Sequence, residues 1–437
     1  WSGASPEGRG GLTSVFALQP PSDPARRRSW SDTPPMHLKR SNQRFLAAEA
    51  LRWALSRAQH RAGDGCVVLL LDDLDAVDGA SRNAFADVVT EPPLGGALIL
   101  GAHEPRFDAR WPEGPELTLE GLTAHQVAAL VESGPPVSLP PRALDVSADA
   151  ERILPLYVEQ LARFAAEGGA AEPPEGLADL IALRIDRLPP DARRMLQATA
   201  VLGDRAQESQ LRELLPEVED PHKQLDRLDR AGFTVQHELG IAVSHPFLRE
   251  VTLVSIPAEV RRRLHGRARH AAADGGPTMP IEAHALHAFQ AQESFEALML
   301  LEQVAGEAAE RADFDGTVRV LRLGLDLARR EMSRGAIEDP LSAILLFSCK
   351  LGDALALDGR LWDADGVLRE ALDLGGPRAE ERPRILASLA NVAHERGREE
   401  TAVAYVTDAL RIATDQGRLD WIASFERMRK EWSDGSN

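Results

Sequence analysis

The chain has 437 residues, too many for one hydrophobic core, so its length predicts two to four domains. Its formal net charge of −18 disfavours nucleic acid as a partner, and no apolar run approaches the roughly 18 residues that cross a bilayer. Cys66 and Cys349 are the only cysteines, which argues against a disulfide framework and fits a reducing compartment. We therefore expect a cytoplasmic protein without a membrane partner.

The N-terminal part predicts a leader followed by an α/β module over 41–170. Residues 1–40 are rich in glycine, proline, serine and arginine, so we expect them to be poorly ordered. Residues 66–71 are a short, continuous apolar run, which is typical of a strand buried on both faces of a parallel sheet. A predicted helix at 81–90, capped by Asp78, separates this run from a second one.

The second apolar run, 97–102, completes a strand-helix-strand order, which predicts a parallel βαβ unit. We expect a third strand at 117–119 and further helices at 123–132 and 149–167. Residues 168–174 are small and predict a linker.

Beyond the linker, residues 176–275 predict a mostly α domain of short helices separated by prolines. Residues 233–237 and 241–244 are β-like pieces with Gly240 between them, which predicts a hairpin. A basic run at 261–269 is compatible with DNA binding, because winged-helix domains often bind DNA. The alternative is a solvated helix that turns its apolar side chains, spaced by four residues, inward: Val260, Leu264 and Ala268.

The C-terminal part, 279–437, predicts all-α helical repeats. Small and apolar residues recur at offsets of 5, 9 and 12 in three segments, and such a register indicates stacked helix pairs. The three sets are Thr317, Leu321 and Gly324 after Ala312; Ala364, Leu368 and Ala371 after Gly359; and Ala402, Val406 and Ala409 after Gly397. The alternative is a plain helical bundle.

The chemical signal that stands out is Asp72 and Asp73, directly after the first apolar run. A buried parallel strand that ends in two carboxylates places them at the carboxyl edge of its sheet. In P-loop ATPases the first such acid holds Mg²⁺ and the second polarises the attacking water. The alternative is a strand that ends in solvated turn acids.

The motifs in this order resemble the STAND class of signalling ATPases. The segment 67–78 is similar to the family's Walker B segment, 98–102 to its sensor strand, and 154–161 to its adenine-side helix, in which Pro155 remains. Residues 177–203 and 244–251 resemble the winged-helix spacer that follows, and the tail resembles degenerate tetratricopeptide repeats. The resemblance implies ATP or ADP with Mg²⁺ as cofactors, and a protein partner in a concave groove of the repeats.

The expected phosphate-binding loop departs from the family pattern. The nearest candidate runs from Gly3 to Gly10, with Gly3 and Gly8 at the required spacing. Arg9 replaces the lysine that would meet the phosphates, and Gly10 replaces the hydroxyl that would bind Mg²⁺. Glu7 adds a negative charge beside the site. The alternative is a leader without any phosphate role.

Two further positions have lost the family's residues. His103 and Glu104 occupy the place of the basic residue after the sensor strand, and Ile153 and Leu154 replace the Gly-Asn before Pro155. A module that keeps its apolar positions while it loses its phosphate-side residues is more typical of a structural role than of catalysis. If the chain is active, the resemblance implies an ATPase that uses Asp72 and Asp73.

The resulting hypothesis is a signalling scaffold that binds protein partners through its repeats, with weak or no ATP hydrolysis. A first alternative is the ATP-hydrolysing regulatory half of a bacterial Ser/Thr protein kinase. A second is a DNA-binding transcriptional regulator. No metal-ligand set emerges from the histidines at 245, 265, 270, 284 and 287, which we expect on helix surfaces.

Overall fold

The computed structural model is mostly helical, with a small parallel sheet. It describes residues 43–63, 66–93, 97–112, 114–133, 153–168, 173–174, 176–271, 279–311 and 313–434. The chain divides into two compact units. The first combines Trp1–Pro115 with Ser294–Asn437, and the second is Glu116–Glu293. Residues 116–170, which the sequence groups with the α/β module, thus lie in the second unit.

The first unit begins with a small α/β layer. Its elements are α1 (Gln43–Ala62), β1 (Val68–Leu71), α2 (Gly79–Thr90) and β2 (Leu98–Gly101). The strands pair in parallel, with Val68 opposite Leu98 and Leu71 opposite Gly101. This pairing confirms the predicted strand-helix-strand order. Asp78 caps α2 as predicted, because its side chain accepts a hydrogen bond from the Ser81 backbone.

Only one face of this sheet is covered in the described structure. Helices α1 and α2 pack against Leu69 and Ile99 on that face, around a small apolar core: Ala48, Leu55, Ala84 and Val88. Side chains on the other face are exposed, with Leu70 at 70%. The prediction of strands buried on both faces is therefore wrong here, since the described sheet has two strands and helices on a single side.

The predicted third strand at 117–119 is also wrong. Leu117 and Leu119 are 84% and 87% exposed, and residues 117–119 have no strand structure. Three residues of alternating polarity supply too few ladder hydrogen bonds and too little apolar surface to hold a strand in place.

The second unit is helical with one hairpin. Its helices are α3 (Ala124–Ser133), α4 (Pro155–Ala166), α5 (Leu177–Arg187), α6 (Pro190–Leu202), α7 (Glu208–Leu214), α8 (Pro221–Arg230), α9 (Pro246–Ser255), α10 (Ala258–His270) and α11 (Ile281–Gln290). Strands β3 (Thr234–His237) and β4 (Gly240–Val243) pair antiparallel, which confirms the predicted hairpin. Gly240 has a φ of +142°, and a side chain there would meet the Ala206 carbonyl oxygen.

The rest of the first unit is an array of seven described helices. They are α12 (Ser294–Glu310), α13 (Phe314–Arg334), α14 (Pro340–Leu357), α15 (Leu361–Gly375), α16 (Arg382–Glu395), α17 (Glu399–Asp415) and α18 (Leu419–Asp434). Each helix packs against the next, and α14 also contacts α16. The nine residues of the predicted repeat register are all buried, as stacked helix pairs require.

The helices of this array pack closely because small residues lie at their contacts. A side chain at Gly352 of α14 would overlap Leu368 of α15, and one at Gly324 of α13 would overlap Phe347 of α14. Residues 343–352 of α14 and 383–390 of α16 are all buried, so both helices are enclosed on every side. The exposed apolar side chains of this array lie instead on α12, α13, α15 and α18, for example Phe295, Met332, Trp362 and Leu419.

One described helix, α14, is long and apolar enough to span a bilayer by length and composition. Its mean hydropathy is 1.5 over 18 residues, and 67% of those residues are buried inside the protein. The enclosure by neighbouring helices is typical of a core helix, which passes the same test.

Candidate functional site

The candidate site lies at the carboxyl edge of the β1–β2 sheet. Asp72 and Asp73 follow β1 directly and are both exposed. Asp73 has a φ of +50°, and its backbone N–H donates to Asp72 Oδ1 at 3.1 Å. The Asp73 carbonyl oxygen accepts a hydrogen bond from the Ala76 N–H at 2.9 Å. A left-handed conformation is uncommon for a residue other than glycine, so this turn holds the acid pair in a constrained geometry.

The loops after β1 and β2 are joined by backbone hydrogen bonds. Ala102 N–H donates to the Leu71 carbonyl at 2.8 Å, and Leu74 N–H donates to the Ala102 carbonyl at 2.9 Å. Leu74 is completely buried and packs beside Gly101, where Trp111 also lies. The edge is therefore an ordered structure in which the loop after β1 is anchored to the loop after β2.

The side chains at this edge carry mainly negative charge. Glu104 N–H donates to Asp75 Oδ1 at 3.4 Å, which brings the His103–Glu104 position next to the acidic turn. His103 Nδ1 lies 2.8 Å from the Glu104 carbonyl oxygen, and its ring contacts Phe107. The residues that the sequence places at the sensor position are thus engaged with their own loop.

Two exposed carboxylates suit a divalent cation with oxygen ligands, and Asp72 is the residue that would hold Mg²⁺. Oxygen ligands for Mg²⁺ normally include substrate phosphates, and those need a cationic cradle. The candidate cradle residues Gly3, Gly8 and Arg9 lie outside the described residues. Within the part of the chain that the structure describes, no group of three or more histidine, cysteine or acidic residues could hold a metal.

Pro155 begins α4 in the second unit. Leu154 precedes it in an extended conformation and is 61% exposed, while Ile153 pairs with Leu122 through two backbone hydrogen bonds of 2.9 and 2.7 Å. Proline is favoured at the first position of a helix because its missing N–H has no partner there in any case. The local geometry therefore accounts for Pro155 as a helix start. Its predicted adenine-side role stays a prediction.

The sheet layer contacts the helical array within the first unit. Arg82 of α2 lies 3.7 Å from Asp315 of α13, and its guanidinium carbon lies 5.6 Å from the Phe107 ring centroid. Phe107 belongs to the loop after β2, which carries His103. This arginine thus links the first helix pair of the array to the loop beside the acidic edge.

The basic run on α10 is largely engaged within the second unit. Arg262 pairs with Glu259, and Arg269 pairs with Glu293 at 2.5 Å. Arg267 donates to the Leu214 carbonyl oxygen at 2.6 Å and lies 3.7 Å from Glu217. Leu264 and Ala268 are buried, and Val260 packs against the same core, which confirms the inward apolar stripe. These pairings favour the solvated-helix interpretation over DNA binding.

The prediction of surface histidines is wrong for His265 and His287. Both are buried between α10 and α11, with their Nδ1 atoms 2.8 Å apart. One ring must donate and the other accept across this distance, so at most one Nδ1 carries a proton in the pair. Among the residues that the structure describes, the buried His287 Nε2 has no hydrogen-bond partner. The sequence indicated the burial of His265 alone, because it directly follows Leu264, a residue of the inward apolar stripe of α10.

Burial and nearby cations keep this pair neutral. Burial is the main cause that lowers the pKa of His265 to about 4, and the His287, Arg261 and Arg249 charges lower it further. Burial likewise lowers the pKa of His287 to about 4, followed by the charges of His284 and Arg249. An unfolded chain would protonate both rings near their ordinary pKa of 6.5.

We expect acid to destabilise the second unit through this pair. Because the folded pKa lies below the unfolded one, stability is complete above about pH 6.5 and falls as the pH drops towards 4. The loss at pH 5 is roughly 2 kcal/mol per histidine. Urea unfolding followed by circular dichroism at pH 7 and pH 5 measures it. His287→Phe should flatten the pH dependence, whereas the exposed His222→Gln should leave it unchanged.

Comparison with known proteins leaves the family open. No protein-family model matches the sequence, and no curated protein matches it. A search of solved structures finds similarity to a signal transduction ATPase with numerous domains (STAND) that has a tetratricopeptide repeat sensor, from Pyrococcus horikoshii. The sequences are 12% identical, the match covers 91% of this chain and 68% of that one, and the TM-score is 0.44. These values do not establish a shared fold.

Proposed function

We propose that this chain is a regulatory scaffold of the STAND type that binds a protein partner through its helical array and hydrolyses ATP weakly or not at all. The observation that carries the proposal is the electrostatic character of the sheet's carboxyl edge. Asp72, Asp73 and Asp75 gather there, and Glu104 follows in the adjoining loop. A triphosphate carries several negative charges, so this edge repels it unless a metal ion and a cationic cradle offset the acids.

The helical array supports the partner-binding part of the proposal. Stacked helix pairs provide extended surfaces for proteins. Because α14 and α16 are enclosed, the surface that remains open includes the exposed apolar side chains of α13 and α15. Trp362 of α15 is the largest of these, and the Arg396 guanidinium lies 3.6 Å from its ring centroid. Large aromatic and arginine side chains are enriched where proteins bind one another.

A second candidate function, ATP hydrolysis, is favoured by one observation. Asp73 is held at a positive φ beside Asp72, and constrained backbone of this kind clusters at functional sites. Hydrolysis would need Asp72 to bind Mg²⁺ and Asp73 to orient the attacking water.

Measurement of nucleotide binding and turnover separates the two candidates. The wild-type chain, Asp72→Asn and Glu91→Gln are each titrated with labelled ATP and Mg²⁺, and phosphate release is followed. Glu91 is an exposed acid at the far end of α2 and serves as the matched control. We expect the three proteins to release phosphate at the same background rate. Turnover that disappears in Asp72→Asn and persists in Glu91→Gln would establish the ATPase and overturn the scaffold.

A further inference from the structure

The exposed face of α13 carries a concentration of positive charge. This helix contains five arginines and three acids, whereas α15 and α17 each contain one arginine and four acids. The chain as a whole has a formal net charge of −18, so an excess of arginine on one helix is a local reversal of sign. Among these three helices, α13 is therefore the one that attracts anionic groups.

Helical spacing brings these charges to one face. Arg322, Leu323, Asp326 and Arg330 follow Arg319 at offsets of 3, 4, 7 and 11, and all five residues are exposed. The apolar residues of the opposite face are buried: Val318, Leu321, Leu325 and Ala328. We call Arg319, Arg322 and Arg330 the arginine stripe. Asp326 offsets only one of its three charges.

The arginine stripe does not hold the array together. Among the described residues, none of its three guanidinium groups has an ion pair or a hydrogen bond. Arg329, beside the stripe, instead pairs with Glu370 of α15. Arg411 of α17 likewise pairs with Asp408 and Asp415. Like charges on one helix face repel each other, so an anionic group that binds the stripe would relieve this repulsion.

The dimensions of the stripe indicate the chemistry of its partner. Arg319 and Arg330 are eleven residues apart, which is about 16 Å along a helix axis. Guanidinium groups bind carboxylates through two parallel hydrogen bonds. Leu323 lies between the charges and is 37% exposed, so an apolar side chain among the partner's acids would gain a contact. An acidic protein segment with an apolar residue among its carboxylates fits this surface.

A long polyanion fits the same surface less well. Asp326 lies within the stripe, and α15, which carries four acids, lies beside it through the contact between Arg329 and Glu370. Nucleic acid or an anionic bilayer extends well beyond the stripe and would bring its negative charge against these acids. A protein segment can place neutral residues there, so the charge pattern favours a protein.

We propose that the arginine stripe of α13 binds an acidic segment of the protein partner. Carboxylates of that segment pair with Arg319, Arg322 and Arg330, and an apolar side chain of it contacts Leu323. The inference rests on the proposed function, because it specifies the chemistry of the partner that the helical array binds.

Peptide binding to the full chain tests this inference. The probe is a short fluorescein-labelled peptide with glutamates on both sides of a leucine, and its glutamine counterpart is the neutral control. Fluorescence anisotropy compares the wild type with the triple stripe variant: Arg319→Gln, Arg322→Gln and Arg330→Gln. A matched triple variant removes the same charge from other exposed arginines of the array: Arg378→Gln, Arg411→Gln and Arg427→Gln. Because all six side chains are exposed, both variants should keep the melting temperature of the wild type.

We expect the stripe variant to bind the glutamate peptide about tenfold more weakly than the wild type, and the matched variant to bind it almost as well. The glutamine peptide should bind poorly to all three proteins, and added salt should weaken the glutamate peptide's binding. Equal affinities of the two variants, or no binding to the wild type, would overturn the inference. Tighter binding of a short DNA duplex or of phosphatidylserine vesicles through the stripe would replace the acidic segment with those anions.

Failure of this inference can be told apart from failure of the proposed function. Peptide binding that survives in the stripe variant and disappears in Trp362→Ala would reject the stripe and leave the array as the partner surface. Phosphate release from ATP by the wild type that disappears in Asp72→Asn would reject the proposed scaffold, whatever the peptide does.

Discussion

Arg184→Ala is expected to destabilise the second unit by about 3–5 kcal/mol, the usual cost of removing one partner from a buried charge network. Its side chain is completely buried. The guanidinium donates to Glu167, to Gln160 and to the Ala231 carbonyl oxygen, the last at 2.7 Å. It also lies 4.4 Å from the Phe233 ring centroid. One side chain thus joins α4, α5 and the short segment between α8 and β3.

The loss follows from what the substitution leaves behind. Gln160 is also buried, so its amide oxygen and the Ala231 carbonyl oxygen would remain without their strongest donor. Arg184→Lys should recover only part of the loss, because an ammonium group cannot match the several directions of the guanidinium. Arg194→Ala, on the next helix, is the control, since that exposed arginine pairs, among the described residues, with Asp191 three residues away.

The positions of the tryptophans allow the stability of the first unit to be followed separately from that of the second. All seven tryptophans lie outside Glu116–Glu293, so intrinsic fluorescence reports on the first unit alone. Hydrogen exchange of peptides from the second unit should accelerate strongly in Arg184→Ala and stay unchanged in Arg194→Ala. Equal protection in the two variants would show that the buried arginine is dispensable.

Lys350→Met is expected to cost the helical array about 3–5 kcal/mol for a related reason. Lys350 of α14 and Glu302 of α12 form an ion pair in which both side chains are almost completely buried. Removal of the ammonium takes away the cation that is paired with the buried Glu302 carboxylate, and a buried carboxylate ionises at a cost. Glu302→Leu should cost a similar amount. The combination of both changes should cost clearly less than the sum, because the double variant removes the Glu302 carboxylate together with its cation.

Tryptophan fluorescence follows this unfolding, since Trp421 and Trp432 are buried in the same array. The exposed pair of Arg329 and Glu370, 2.7 Å apart across α13 and α15, is the matched control, and Arg329→Met should cost at most about 1 kcal/mol. Additive losses in the Lys350→Met/Glu302→Leu chain would contradict the expected coupling between the two charges.

Local patterns explain what the sequence could predict. The apolar runs before Asp72 and after α2 can each be recognised within a few consecutive residues. The same is true of the turn at Gly240 and of the repeat offsets after Gly359 and Gly397. Each is a property of one segment, and the structure confirms the elements they predict. The cap at Asp78 belongs to the same class, because its partner Ser81 is three residues away.

Properties that depend on partners distant in sequence could not be predicted. Exposure of Leu70 depends on how many strands and helices surround the sheet, which no single run reveals. His265 and His287 are 22 residues apart, and Lys350 and Glu302 are 48 apart, so only the packing of different helices brings them together. At the candidate site the sequence identified Asp72 and Asp73. The left-handed Asp73 backbone emerged only from the structure.

The enclosed helix α14 has a consequence for the order in which the protein is made. Its 18 residues, most of them apolar, leave the ribosome before α16, which ends 38 residues later at Glu395. During that interval α14, which has the composition of a bilayer-spanning helix, is accessible to chaperones and insertion machinery because α16 does not yet cover it. Translation speed between codons 358 and 395 therefore sets how long the nascent chain stays vulnerable to aggregation. Slow codons in that window should lower the yield of folded protein.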